Sequence, residues 1–421
     1  MATLTLIGEP FPDWEADLQR AAIRDLTAAL AETAPRACSA RLIVARGSEA
    51  PVFSSPKAMV ETMPLSTSVL SLVWQNGTTA RPLDGEFVHA LTPMVPLRNR
   101  GADDGSQTSV TVPHAIAWEA PELLGPSQAR LFRNFVRRAV KFADVLLTPT
   151  YAVASVLHDR YGEQVPVQVL PLAAPEELRR PSDARERRSA LGLPERYIVT
   201  TTTANEHGRL QWILDALEAD PELPPLVIVD GLGPTLHENG RRPKGTPAVS
   251  PSAGRTADAA PTPDAVPTRA PASPDAGAAE RSATATLTPI APDPVAMGPI
   301  PESLRQRVLV VRPRELADIG AILSGADLMA QPQTCMGSGY PLLGALNSGI
   351  PVLHGGAAGY AEISLDAGIA AADAGAFASE LGRLCHDATE LERMAVLAED
   401  RGRAFTWRNT AWQLWELHAN L

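Results

Sequence analysis

The chain has 421 residues, 45% of them hydrophobic, and a formal net charge of −11. That length exceeds one compact core and predicts two domains, while the acidic balance excludes a general nucleic-acid binder, which needs a basic surface. Three cysteines, Cys38, Cys335 and Cys385, with no C-x-x-C pair, exclude a disulfide framework and a thiolate zinc site and fit a reducing cytoplasm.

The start, Met1–Gly8, lacks the basic residues and long apolar run of a signal peptide, and no window reaches the apolar length of a membrane span. A cytoplasmic protein, or one resting on the inner face of the plasma membrane, is expected. Thr3–Ile7 then reads as a strand and Trp14–Glu32 as an alanine-rich amphipathic helix. Arg41–Val44, Phe87–His89, Thr108–Pro113 and Val145–Thr148 read as further strands, with a helix over Ser127–Phe142 before the last. Pro166–Leu172 leads into a charged crossover, Glu176–Arg188. The second half repeats the alternation, with strands at Tyr197–Thr203, Pro225–Asp230, Arg307–Val311, Asp327–Gln331 and Gly349–Leu353. Helices fall at Leu210–Leu217, at Leu316–Ser324 and from Ala376 onwards. This alternation predicts two α/β units.

Residues 241–300 interrupt the second unit. They hold 12 of the 39 prolines and no aromatic residue, so they cannot bury enough apolar surface to offset ordering entropy. A disordered insertion is expected, and loop closure grows only logarithmically with length, so the fold tolerates it.

Thr334–Leu353 carries the strongest chemical signal. Cys335-Met336-Gly337-Ser338-Gly339-Tyr340 reads as a glycine-rich loop, Pro341 opens a short helix, and Gly349 closes it. Gly337 and Gly339 let a ligand approach the backbone N–H groups, and a helix N-terminus there favours a diphosphate; an ordinary βα turn is the alternative. The tail, Phe405–Leu417, is an amphipathic helix whose three tryptophans are expected to pack on the body of the protein, sugar stacking being the lesser reading.

Five segments together resemble the GT-B glycosyltransferases, specifically glycosyltransferase family 4 and its bacterial mannosyltransferase-like members. They are Val112–Glu122 around His114, Ala143–Thr150, Leu191–Ile198, Leu323–Leu328 before the glycine loop, and Phe405-Thr406-Trp407. The resemblance spans nearly the whole chain outside the insertion. It implies an α/β fold of two Rossmann-like domains facing across a cleft. An acceptor-side domain would span 1–175, a nucleotide-sugar domain 190–404 and a closing helix 405–421. It implies a retaining hexosyltransferase with a nucleotide-sugar donor, GDP-mannose by analogy, an acceptor that is lipid-linked or a polysaccharide, and no metal or other cofactor.

By the same resemblance His114 sits near the donor sugar as the catalytic-site histidine; a histidine satisfied by backbone at a strand end is the other reading. His207, Arg209, Gly337, Ser338, Gly339, Tyr340 and Glu362 fall at donor-binding positions, Glu362 reading equally as a helix N-terminal carboxylate. His89 resembles a strand end on the acceptor side.

The chain departs from the family pattern E-G-F-G-x-P-x-x-E, whose acidic positions are Met336 and Gly344 here. The family's Arg-Lys pair aligns with His207 and Gly208, with Arg209 one position away, and its strand-turn glycine is Thr202. A lost charged contact in a transition state costs about 2–4 kcal/mol, so these losses predict a poor enzyme. A degenerate GT-B subunit that partners or scaffolds an active glycosyltransferase is therefore the rival reading. A sugar-nucleotide epimerase of the same fold is a third, without the expected acidic and basic cluster. Arg130, Arg133, Arg137 and Lys141 share one helical face, which is either a plain solvated surface or a dock for anionic membrane.

Overall fold

The computed structural model describes residues 2–77, 87–97, 105–232 and 300–421; the segment read as an insertion, 241–300, lies outside them except for Ile300. Two parallel sheets organise the described residues. The first holds β1 (Ala2–Ile7), β2 (Cys38–Val44), β3 (Ala58–Thr62), β4 (Phe87–Ala90), β5 (Gln107–Thr111), β6 (Val145–Thr148) and β7 (Val167–Val169), in the order β3-β2-β1-β4-β5-β6-β7. The second holds β8 (Ile198–Thr200), β9 (Leu226–Val229), β10 (Val308–Val311), β11 (Leu328–Gln331), β12 (Val352–His354) and β13 (Gly368–Ala370), in the order β10-β9-β8-β11-β12-β13.

Helices cover both faces, so central strands read as continuous apolar runs instead of alternating ones. Every residue of Val145–Thr148 and of Leu226–Val229 is buried. Each sheet reverses its strand order beside its first strand, between β1 and β4 and between β8 and β11. Ligand crevices in such sheets form outside the carboxyl ends of the strands at that reversal.

The two lobes share one apolar core, which joins Leu4, Leu30 and Leu178 to Tyr340, Leu342 and Trp415. The last helix, Trp407–Asn420, leaves the second lobe and packs on helix Ala16–Thr33 of the first. Thr406 caps it by accepting the Asn409 N–H at 3.2 Å. Trp407 and Trp415 are buried and donate through Nε1 to the carbonyls of Ala174 at 3.0 Å and Leu30 at 3.1 Å. Trp412 departs from the expected packing and is 57% exposed. The strand expected from Gly349 begins instead at Val352, because Gly349 closes the preceding helix at φ +71° and Pro351 has no N–H for the ladder.

Among the described residues no helix is long and apolar enough to cross a membrane.

Candidate functional site

A cavity opens where strand ends of both sheets converge. Trp14 and Glu15 reach it from the loop after β1, Thr201–Thr203 and His207 from the loop after β8, and Gln333, Met336, Gly337 and Gly339 from the loop after β11. This is the position that the two strand-order reversals dictate. Two glycines shape it. Gly339 has φ +79° where helix Tyr340–Asn347 begins, and a side chain there would press on Ile363 Cδ1 at 3.2 Å. A Cβ on Gly337 would collide with Glu15 Oε1.

Glu15 is 3% exposed, at the start of helix Ala16–Thr33, and its carboxylate crosses to the second lobe. Ser338 N–H donates to Oε1 at 2.9 Å and to Oε2 at 3.1 Å, and the Ser338 hydroxyl donates to Oε2. Burial pushes its pKa up; His114 opposes this, Asp13 adds to it, and the Ser338 bonds oppose it. Asp13 Oδ1 in turn accepts the Glu15 N–H at 2.8 Å and fixes the turn. Tyr340 is fully buried next to this loop, its hydroxyl without a partner among the described residues. Burial, then Glu15 and Asp13, hold its pKa well above the ordinary tyrosine range.

His114 lies behind this surface and outside the cavity lining. Its ring stacks on Trp14 at 6.1 Å and on Phe132 at 4.7 Å, both at 14°. Nε2 is 3.6 Å from Asp13 Oδ2, and neither ring nitrogen has a hydrogen-bond partner among the described residues.

His207 spans the cleft. Its Nδ1 lies 2.8 Å from Thr334 Oγ1, and its Nε2 pairs with Glu122 of the first lobe. Arg209 is absent from the lining: its backbone is left-handed at φ +54°, and its guanidinium lies 4.5 Å over the Trp212 ring. Glu362 also serves the lobe boundary, accepting from Tyr151 N and Ala152 N, the first amides of helix Tyr151–Tyr161. Of the catalytic and donor-binding residues expected from sequence, the cavity wall thus holds His207, Gly337 and Gly339, with Ser338 and Tyr340 adjoining. His114, Arg209 and Glu362 lie off the wall.

Sequence reading missed Glu15, Trp14, Thr201, Thr203 and Gln333. The run Thr200–Thr203 at a strand end was a usable signal; Glu15 had none. The two lost acidic positions have physical counterparts. Met336 packs its thioether against Gly339 and Gly359, and a Cβ on Gly344 would meet Leu178 and Leu323 at 3.1 Å, an apolar setting unsuited to a carboxylate. Among the described lining residues there is no arginine or lysine.

No family model matches the sequence, and no curated protein matches it. Solved structures do. Sucrose-phosphate synthase from Thermosynechococcus elongatus is similar at 16% identity and TM-score 0.64, over 100% of this chain and 99% of that one. HepE of Anabaena, in complex with UDP-glucose, is similar at 14% identity and TM-score 0.58, over 100% of both chains. WaaG, a glycosyltransferase involved in lipopolysaccharide biosynthesis, is similar at 14% identity and TM-score 0.57, over 99% of both. The chain therefore has the GT-B fold, two Rossmann-like lobes about a cleft, as its sequence led one to expect. At these identities the likeness carries the fold and leaves the chemistry to the site.

Proposed function

We propose that this chain is a glycosyltransferase that binds a nucleotide sugar in the interlobe cavity and passes the hexose, with retention, to an acceptor hydroxyl. The observation that carries this reading is the convergence of the β1, β8 and β11 ends on one cavity bounded by the Gly337–Gly339 turn. Structures similar to it are named as complexes with UDP and UDP-glucose, which supports a nucleotide-sugar ligand. GDP-mannose remains the donor that the sequence resemblance suggests.

The leaving diphosphate needs compensating charge or hydrogen bonds. Among the described lining residues, His207 is the one able to carry positive charge. Described lining residues so poor in cations predict slow turnover. The test is release of UDP or GDP from a panel of sugar nucleotides, with His207→Ala as the comparison. Release that falls in the variant supports the reading; none across the panel defeats it.

The absence of arginine and lysine from the described wall favours a second reading, a non-catalytic GT-B subunit that binds an active glycosyltransferase. Nucleotide-sugar binding by calorimetry without turnover would select it.

Membrane docking at the cytoplasmic leaflet also belongs to the proposal. Arg130, Arg137 and Lys141 are exposed along helix Pro126–Phe142. Leu72 is 62% exposed on the adjoining helix Thr67–Gln75. Arg133 instead turns inward to the Ala117 carbonyl at 3.0 Å.

A further inference from the structure

The Gly337 end of the cavity holds a carboxylate with acceptor capacity to spare. Glu15 Oε1 accepts one hydrogen bond, from Ser338 N–H, whereas Oε2 accepts that amide and the Ser338 hydroxyl. Each carboxylate oxygen offers about two lone-pair sites, so Oε1 keeps one open. It packs against the bare Cα of Gly337 and takes the space a Cβ would fill, and Glu15 is itself part of the cavity lining. The same cavity lining carries Trp14 and Gln333, uncharged groups suited to a ring face and to hydroxyls, and no lysine or arginine among the described residues. A buried carboxylate with no lysine or arginine beside it among the described lining residues repels phosphate and accepts from O–H or N–H groups.

We propose that Glu15 is a specificity-determining residue: it accepts a hydroxyl of the ligand's neutral sugar part at the Gly337 end, and the phosphates lie away from it. This deepens the donor reading above and rests on it. The acceptor comes from the first lobe while the loop it serves belongs to the second, so the sugar end of the site exists only with the two lobes together.

The experiment titrates UDP, UDP-glucose, GDP and GDP-mannose into the full-length chain and its Glu15→Gln variant by calorimetry. The expected result is a loss of about tenfold in affinity for the sugar nucleotide and no change for its bare diphosphate, the worth of one hydrogen bond to a charged acceptor. Gly337→Ala, which keeps Glu15 but pushes a methyl into Oε1, should lose the same sugar-dependent increment. Equal losses for sugar nucleotide and diphosphate, no loss, or a gain would each overturn the assignment; a gain would make Glu15 an internal competitor for the loop. Wild-type chain that binds neither class sinks the donor reading and this assignment with it, and is distinguishable from those outcomes.

Discussion

The carboxylate of Glu362, in the second lobe, accepts the backbone N–H of Tyr151, in the first, at 2.6 Å. A side chain of one lobe thereby caps a helix of the other, next to the helix's own Thr150, whose hydroxyl accepts from Val153 N–H at 3.3 Å. N-cap acceptors are worth about 0.5–2 kcal/mol, and a carboxylate adds attraction to the helix dipole. Glu362→Ala should lower stability by about 1 kcal/mol in urea unfolding. Glu362→Gln, which keeps one acceptor, should recover part of that; equal stability of all three proteins would show the cap to be unimportant.

Stability should fall on mild acidification. Burial, then the neighbouring His418, holds the His89 pKa down at about 3, and burial holds His418 at about 4. Burial likewise lowers His354 to about 4. In the unfolded chain each takes a proton near pH 6.5. Their contribution is therefore complete above pH 6.5 and shrinks as pH falls from there to about 4, where the native rings begin to charge. Ser109 Oγ bridges two of them, 2.9 Å from His89 Nδ1 and 2.9 Å from His418 Nε2. Urea midpoints between pH 7.5 and 4.5 should decline, with a shallower slope in His418→Gln; identical slopes would remove these histidines from the account.

Gly339 should resist replacement. Alanine there must adopt φ +79° and meet Ile363 Cδ1 at 3.2 Å, a left-handed penalty of about 1–2 kcal/mol. Urea unfolding of Gly339→Ala measures it, and an unchanged midpoint would mean that the turn relaxes freely.

Charge reversal at Arg130, Arg137 and Lys141 should reduce co-sedimentation with anionic vesicles by at least tenfold, since each basic residue near such a surface is worth about 1 kcal/mol. Binding to neutral vesicles should not change. A wild-type chain that ignores anionic vesicles would leave these residues as a solvated helix face.

Residues whose environment is set locally were readable. Val145–Thr148 is apolar because both faces of its strand are covered, and Pro341 and Gly349 bracket their helix because only those backbones suit its ends. Edge elements were not: β3, with its mixed Ala58–Thr62, and β13, three residues long, carry too little periodicity to register. Helices Thr67–Gln75 and Tyr151–Tyr161 also went unread. The site was legible only on one side. Gly337–Tyr340 announces a loop, but the carboxylate that fills it stands 323 residues earlier, so no motif spacing could pair them. Arg209 looked like a diphosphate ligand by position, yet the left-handed backbone at that residue sends its guanidinium over Trp212.

The polypeptide passes between the lobes twice, after β7 and again just before Trp407. The two passages are stitched side by side, through Trp407 Nε1 to the Ala174 carbonyl and the Thr410 hydroxyl to the Pro171 carbonyl at 2.9 Å. Two bodies joined at neighbouring points can swing about the line through both but resist sliding and twisting. Opening of the cleft should therefore follow a single hinge-like arc, with the mouth swinging widest and residues 171–174 and 407–410 barely moving.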